Sequence, residues 1–83
     1  MPDDAVDYGH PVKRSVLIAG HQTSVSLEPL FWRALEAAAG DGGLPINALV
    51  ARIDAERIAG ETPVNLTSAL RQWLFVRARG SQN

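Results

Sequence analysis

The 83-residue chain contains no cysteine. That excludes a disulfide framework and every cysteine-ligated zinc, haem or iron–sulfur site, leaves no thiol nucleophile, and suits a reducing compartment. Long apolar runs are missing as well. The longest uncharged stretch, Ser15 to Leu27, is interrupted by Gly20, His21, Gln22 and several Ser and Thr, far short of the roughly 20 apolar residues that span a bilayer. No basic segment leads into an apolar one near the N-terminus, so no secretory leader is expected. A cytoplasmic protein with no membrane insertion is the expectation. Charge of one sign is scarce too: 8 basic side chains stand against 9 acidic ones. Asp3, Asp4 and Asp7 crowd the start, so the rest of the chain carries 8 basic to 6 acidic residues, a surplus too small to grip nucleic acid by charge alone.

Catalytic groupings are equally sparse. His10 and His21 have no carboxylate at ligand spacing, which argues against a metal site. There is no glycine-rich phosphate loop, no nucleophile elbow and no pair of carboxylates in an apolar setting. Neither an enzyme nor a bound cofactor is expected.

What the chain does have is a 46% hydrophobic composition in a length that buries only about 60% of its unfolded surface. A thin core follows, and with it the expectation of a partner chain. Residues 1–12, with Pro2, Gly9 and Pro11 among aspartates, form a flexible acidic arm; residues 13–79 form the domain; residues 80–83 form a polar tail. From Lys13 to Leu27 the composition is that of a strand. Its second half alternates, with Thr23, Val25 and Leu27 on one side and Gln22, Ser24 and Ser26 on the other. Its first half, Ser15 to Ala19, is apolar on both faces, which fits a more buried strand or an extension packed on a neighbour. Gly20 marks a bend between the halves.

The period then changes to that of helices. Pro29 suits a first turn, and Phe31, Trp32, Leu35, Ala38 and Ala39 recur at three-and-four spacing up to a glycine-rich break at 40–43. A second stripe, Ile46, Leu49, Val50 and Ile53, sets a helix over about 45–59. A third, Leu66, Leu70, Trp73 and Leu74, sets one ending near Arg79, with Asn65 or Thr67 as its cap. Arg71, Arg77 and Arg79 give this last segment a basic character without any carboxylate.

A lone strand followed by helices leaves a row of backbone groups unpaired. A symmetric dimer would satisfy them: two copies of the strand pair antiparallel about a two-fold axis. Val25 and Leu27 then point inward with Phe31, Trp32, Leu35, Leu49 and Ile53, and Leu66, Leu70, Trp73 and Leu74 pack the third helix on the dimer.

Over about residues 21–59 the sequence resembles the ribbon-helix-helix proteins of the Arc and MetJ repressor type. The features are a strand ending in Leu27, the Glu28-Pro29 helix start, apolar residues at Phe31, Leu35 and Ala38, a turn containing Gly43, and a second helix with Leu49, Val50 and Ile53. The runs Gly20 to Glu28, Phe31-Trp32, Ile53-Asp54 and Asn65 to Arg71 are similar to a subgroup of short bacterial proteins carrying an added third helix. The resemblance implies a mainly helical intertwined homodimer, with one strand per chain and a two-stranded antiparallel ribbon. It implies a transcriptional regulator of double-stranded DNA in which Gln22, Ser24 and Ser26 enter the major groove and read base edges. The start of the second helix, Ile46 and Asn47, would hold a phosphate, helped by Lys13 and Arg14. Glutamine can contact adenine bidentately and serine can meet any base pair, while helix amides favour an anion. Two departures stand out. Related proteins commonly place Arg or Lys in the outward row, where this chain has Gln22, and Pro45 removes one amide near the phosphate site.

The same outward row is also what a solvated strand face looks like. Trp32 and Trp73 lie on apolar stripes and are core rather than base-stacking residues. The alternative function is therefore a non-catalytic protein-interaction module, an accessory subunit or antitoxin-like partner, that grips another protein through residues 1–20 or 61–79.

Overall fold

The computed structural model describes residues 6 and 8–80. Residues 1–5 and 7 of the expected arm, and 81–83 of the expected tail, lie outside the described residues. The chain forms β1 (Val12–Ile18), β2 (His21–Leu27), α1 (Pro29–Asp41), α2 (Ile46–Ala59) and α3 (Leu66–Gly80). The fold is mostly helical with a two-stranded antiparallel ribbon, as the ribbon-helix-helix class requires.

The ribbon differs from expectation in its origin. Residues 12–27 are two strands rather than one, because Ala19 and Gly20 reverse the chain completely instead of bending it. Both adopt left-handed backbone angles, with φ of 51° and 83°, the combination that makes a two-residue turn twist in step with its strands. The register pairs Ile18 with His21, Val16 with Thr23, Arg14 with Val25 and Val12 with Leu27. The strand whose unpaired backbone called for a second copy thus finds its partner across a two-residue turn in its own chain.

Antiparallel partners share a face. Val16, Val25 and Leu27 point inward and are buried, against Trp32, Leu35, Ala38 and Ala39 of α1, Leu49, Val50 and Ile53 of α2, and Leu70 and Leu74 of α3. Phe31, Leu66 and Trp73, expected in the core, lie partly buried against it. The first half of the old single strand is not buried on both faces: Val16 is covered, while its neighbour Leu17 is 45% exposed.

Local chemistry sets the helix limits. Gly43, with φ of 69°, turns the chain after α1, and the Leu44 N–H returns to the Ala39 carbonyl at 2.8 Å. Pro45 then starts α2 as its N-cap. Asn65 caps α3, its Oδ1 accepting from the Ser68 N–H at 2.8 Å. Arg57 fastens α2 to the loop before α3, donating to Asp54 Oδ1 and, at 3.0 Å, to the Val64 carbonyl. Trp32 ties α1 to the ribbon, its Nε1–H donating to the Val12 carbonyl at 2.8 Å. The ribbon's two flanks are covered unequally: α2 packs beside β1, and α3 lies beside β2.

Candidate nucleic-acid interface

The face of the ribbon opposite the core carries three cross-strand pairs: Lys13 with Ser26, Ser15 with Ser24, and Leu17 with Gln22. Gln22, Ser24 and Ser26, expected from the sequence to point outward, do so; Gln22 and Ser24 are exposed and Ser26 is half-buried. The sequence reading missed the β1 half of this face. Its signal was present, since Lys13, Ser15 and Leu17 alternate with Val12, Arg14 and Val16, but without recognising the reversal at Ala19-Gly20 there was nothing to set them opposite β2. The Ser15 hydroxyl donates to Gln22 Oε1, so the two strands are joined by side chains on the open face as well as through their backbones.

Ile46 and Asn47 open α2 next to β1. Asn47 Oδ1 accepts from the Leu17 N–H at 3.4 Å, which places the helix start at the edge of the exposed face. Pro45 takes Ala48 and Leu49 as its carbonyl's donors; the amides of Ile46 and Asn47, one step earlier, have no partner among the described residues. Orphan amides at a helix start carry the positive end of its dipole.

Lys13 and Arg14, adjacent in sequence, are divided by the pleat. Lys13 is on the outward face and makes no ion pair among the described residues. Arg14 is on the core side, its guanidinium 4.6 Å from the centre of the Trp32 ring and its Nη1 3.0 Å from Glu36 Oε2. The two basic residues, expected together at a phosphate, therefore lie on opposite faces of the ribbon, because side chains alternate along a strand. Three further arginines are engaged in ion pairs, Arg57 with Asp54, Arg71 with Glu28 and Arg77 with Asp41. On the outward ribbon face itself the basic side chain is Lys13, beside the α2 amides.

Away from this face, α1 and α3 enclose an apolar groove of about 610 Å³, lined by Leu30, Phe31, Ala34, Leu74, Phe75 and Ala78, with Arg71 among its walls. Phe75 and Val76 are 62% and 65% exposed there. No helix among the described residues is long and apolar enough to cross a membrane.

No curated protein and no solved structure matches the chain. The family model described as the ribbon-helix-helix domain matches residues 11–78. Domains of this family in general form dimers, bind DNA and are typically non-enzymatic. With the ribbon, the paired helices and a family match running from the start of β1 almost to the end of α3, this chain belongs to the ribbon-helix-helix domain family.

Proposed function

We propose that this chain is a small DNA-binding transcriptional regulator that works as a homodimer, with residues 13–79 as the working unit. The observation that carries the reading is the contact between Leu17 and Asn47. It brings the free amides of Ile46 and Asn47 to the rim of the outward ribbon face, so base-reading and phosphate-holding groups share one surface. Gln22, Ser24 and Ser26 meet base edges in the major groove. Lys13 and the two amides meet phosphates. Arg14, committed to Trp32 and Glu36, has no part in this.

The second copy is the occupant we assign to the α1–α3 groove. One chain already closes its own core and pairs its own strands, and three of its exposed large apolar side chains, Leu30, Phe75 and Val76, gather at the groove. The nearby arginines Arg71 and Arg77 are neutralised by Glu28 and Asp41, so two such faces can meet without repulsion, and family domains in general dimerise.

Selection of binding sites from a randomised duplex library, followed by a salt titration, tests the reading. A recovered site whose affinity falls steeply with salt and is lost in Gln22→Ala with Ser24→Ala supports it. Binding indifferent to those substitutions, with sensitivity confined to residues 61–79, favours the protein-interaction module instead. For the dimer, sedimentation should show Phe75→Glu to be monomeric; an unchanged dimer would move the contact elsewhere.

A further inference from the structure

Helix α3 has a side that the fold leaves uncovered. Gln72, Phe75, Val76 and Arg79 follow one another at three-and-four spacing, so they form one stripe along the helix, and all four are exposed. The stripe is a ridge between two grooves. On one side lies the α1–α3 groove; on the other lies a smaller one of about 310 Å³ between α2 and α3, lined by Ile53, Glu56, Val64, Ala69 and Trp73. Gln72 and Val76 line both.

The charges beside this ridge are left over in a complementary way. Arg79 has no carboxylate partner among the described residues; its Cζ lies 6.0 Å from the centre of the Phe75 ring. Glu28, Glu36, Asp41 and Asp54 are each held by an arginine. Glu56, on the wall of the smaller groove, makes no ion pair among the described residues. Each copy thus carries one spare cation near the C-terminal end of the ridge and one spare carboxylate beside it. An apolar contact that covered either of them without the other would leave a charge desolvated and unpaired, which is costly.

We infer that two copies meet through this ridge, α3 against α3 and antiparallel about a two-fold axis between Phe75 and Val76, with Arg79 of each copy paired to Glu56 of the other. This rests on the dimer reading above and names the contact that makes it. A two-fold contact sets residue i of one copy opposite j of the other, and j opposite i. With the axis so placed, Phe75 lies level with Val76 of the other copy, and Arg79 lies level with Gln72. Gln72 shares the smaller groove with Glu56, so the incoming guanidinium arrives beside the unpaired carboxylate. The middle of the contact covers two Phe75 and two Val76 side chains, 62% and 65% exposed in the single chain, and supplies the apolar burial. The two ion pairs at its ends set the direction of the helices, because a parallel arrangement would place Arg79 against Arg79. No ribbon residue takes part, so the contact is separable from DNA binding.

The experiment uses the full chain, and every position changed is exposed, so the variants are expected to fold like wild type. Sedimentation equilibrium should show Glu56→Arg and Arg79→Glu each weakening the dimer by roughly tenfold, since either change sets like charges together at both ends of the contact. The double variant, which exchanges the charges, should return the dissociation constant to near that of wild type. Val76→Cys puts the chain's only cysteine beside the axis, so oxidation should give a disulfide-linked dimer. Under the same conditions Ile58→Cys, at a position 67% exposed that lines neither groove, should stay monomeric when denatured without reductant. Losses that add in the double variant overturn the pairing of Arg79 with Glu56. A wild-type dimer whose Val76→Cys form resists cross-linking overturns the ridge as the contact. A wild type that is monomeric throughout the concentration range overturns this inference together with the dimer reading. Selection of duplex DNA is measured separately, so its failure would sink the DNA-binding reading and leave the sedimentation and cross-linking results to decide the contact.

Discussion

Arg71 of α3 holds the Glu28 carboxylate with one edge of its guanidinium: Nη2 lies 2.9 Å from Oε1 and 3.1 Å from Oε2, and Nε lies 3.3 Å from Oε1. Its Cζ is 5.6 Å from the centre of the Phe31 ring. Glu28 is the hinge between β2 and α1, so one side chain of the added helix reaches the junction on which the ribbon is mounted. Bidentate geometry sets this pair apart from an ordinary surface ion pair.

The acid response of the fold follows from that contact. The Glu28 carboxyl is held below its ordinary value of 4.5, first by a backbone hydrogen bond within the residue and then by the Arg71 guanidinium, with partial burial opposing them. A carboxyl whose native pKa lies below its unfolded value binds fewer protons when folded. Its contribution is therefore present above the ordinary value and lost as pH falls through the lowered native one. Urea denaturation between about pH 7 and about pH 3 should show wild type more stable than Glu28→Gln at the neutral end, with the gap closing at the acid end. A gap that persists in acid would mean that the glutamine disturbs packing rather than charge.

The turn that closes the ribbon is improvable. Ala19 sits at φ of 51°, a region that costs an L-residue with a Cβ roughly 1 kcal/mol, and it precedes a glycine as the first residue of a turn that favours asparagine there. Ala19→Asn should stabilise the domain by about 0.5–1 kcal/mol, raising the melting temperature by several degrees in a chain of this size. Gly20→Ala should do the reverse by about 1–2 kcal/mol, although nothing lies within 4 Å of the added methyl. The whole penalty there is backbone conformation, so calorimetry on the two variants brackets the strain in the turn.

The same turn explains how far the sequence could be read. The three helices were legible because each writes its own apolar stripe, and a stripe depends on neighbours three and four residues away. The strands were legible as β structure for the same local reason. What could not be read was the partner of each strand, since pairing depends on the turn, and Ala19-Gly20 lacks the Asn-Gly or Asp-Gly pair that announces a tight reversal. From that one omission came the single strand and the β1 side of the outward face left out. The separation of Lys13 from Arg14, by contrast, was available from alternation alone.

Core packing should respond as a single-chain core. Leu35 is fully buried among β, α1 and α2 residues, and Leu35→Ala should cost about 2–5 kcal/mol. Trp32→Phe should cost less, about 1 kcal/mol, since it keeps the ring buried and removes the hydrogen bond to the Val12 carbonyl. Because one chain closes this core, the denaturation midpoint of a groove variant such as Phe75→Glu should not depend on protein concentration, whereas that of a strand-shared dimer would.

Lys13 and Arg14 provide the sharpest separation of binding from folding, because they are adjacent in sequence and opposed in space. Removing a phosphate contact weakens binding to all sequences alike and lowers the salt slope by about one. Lys13→Ala should do both and leave the folding stability within about half a kcal/mol of wild type. Arg14→Ala should leave the slope untouched and lower stability, because it strips the guanidinium from the Trp32 ring and from Glu36. Paired salt titrations and melts on the two variants decide the matter. If Arg14→Ala reduces the slope while Lys13→Ala does not, the core-facing side of the ribbon is the one that meets DNA, and the outward row of serines and glutamine is only a solvated face.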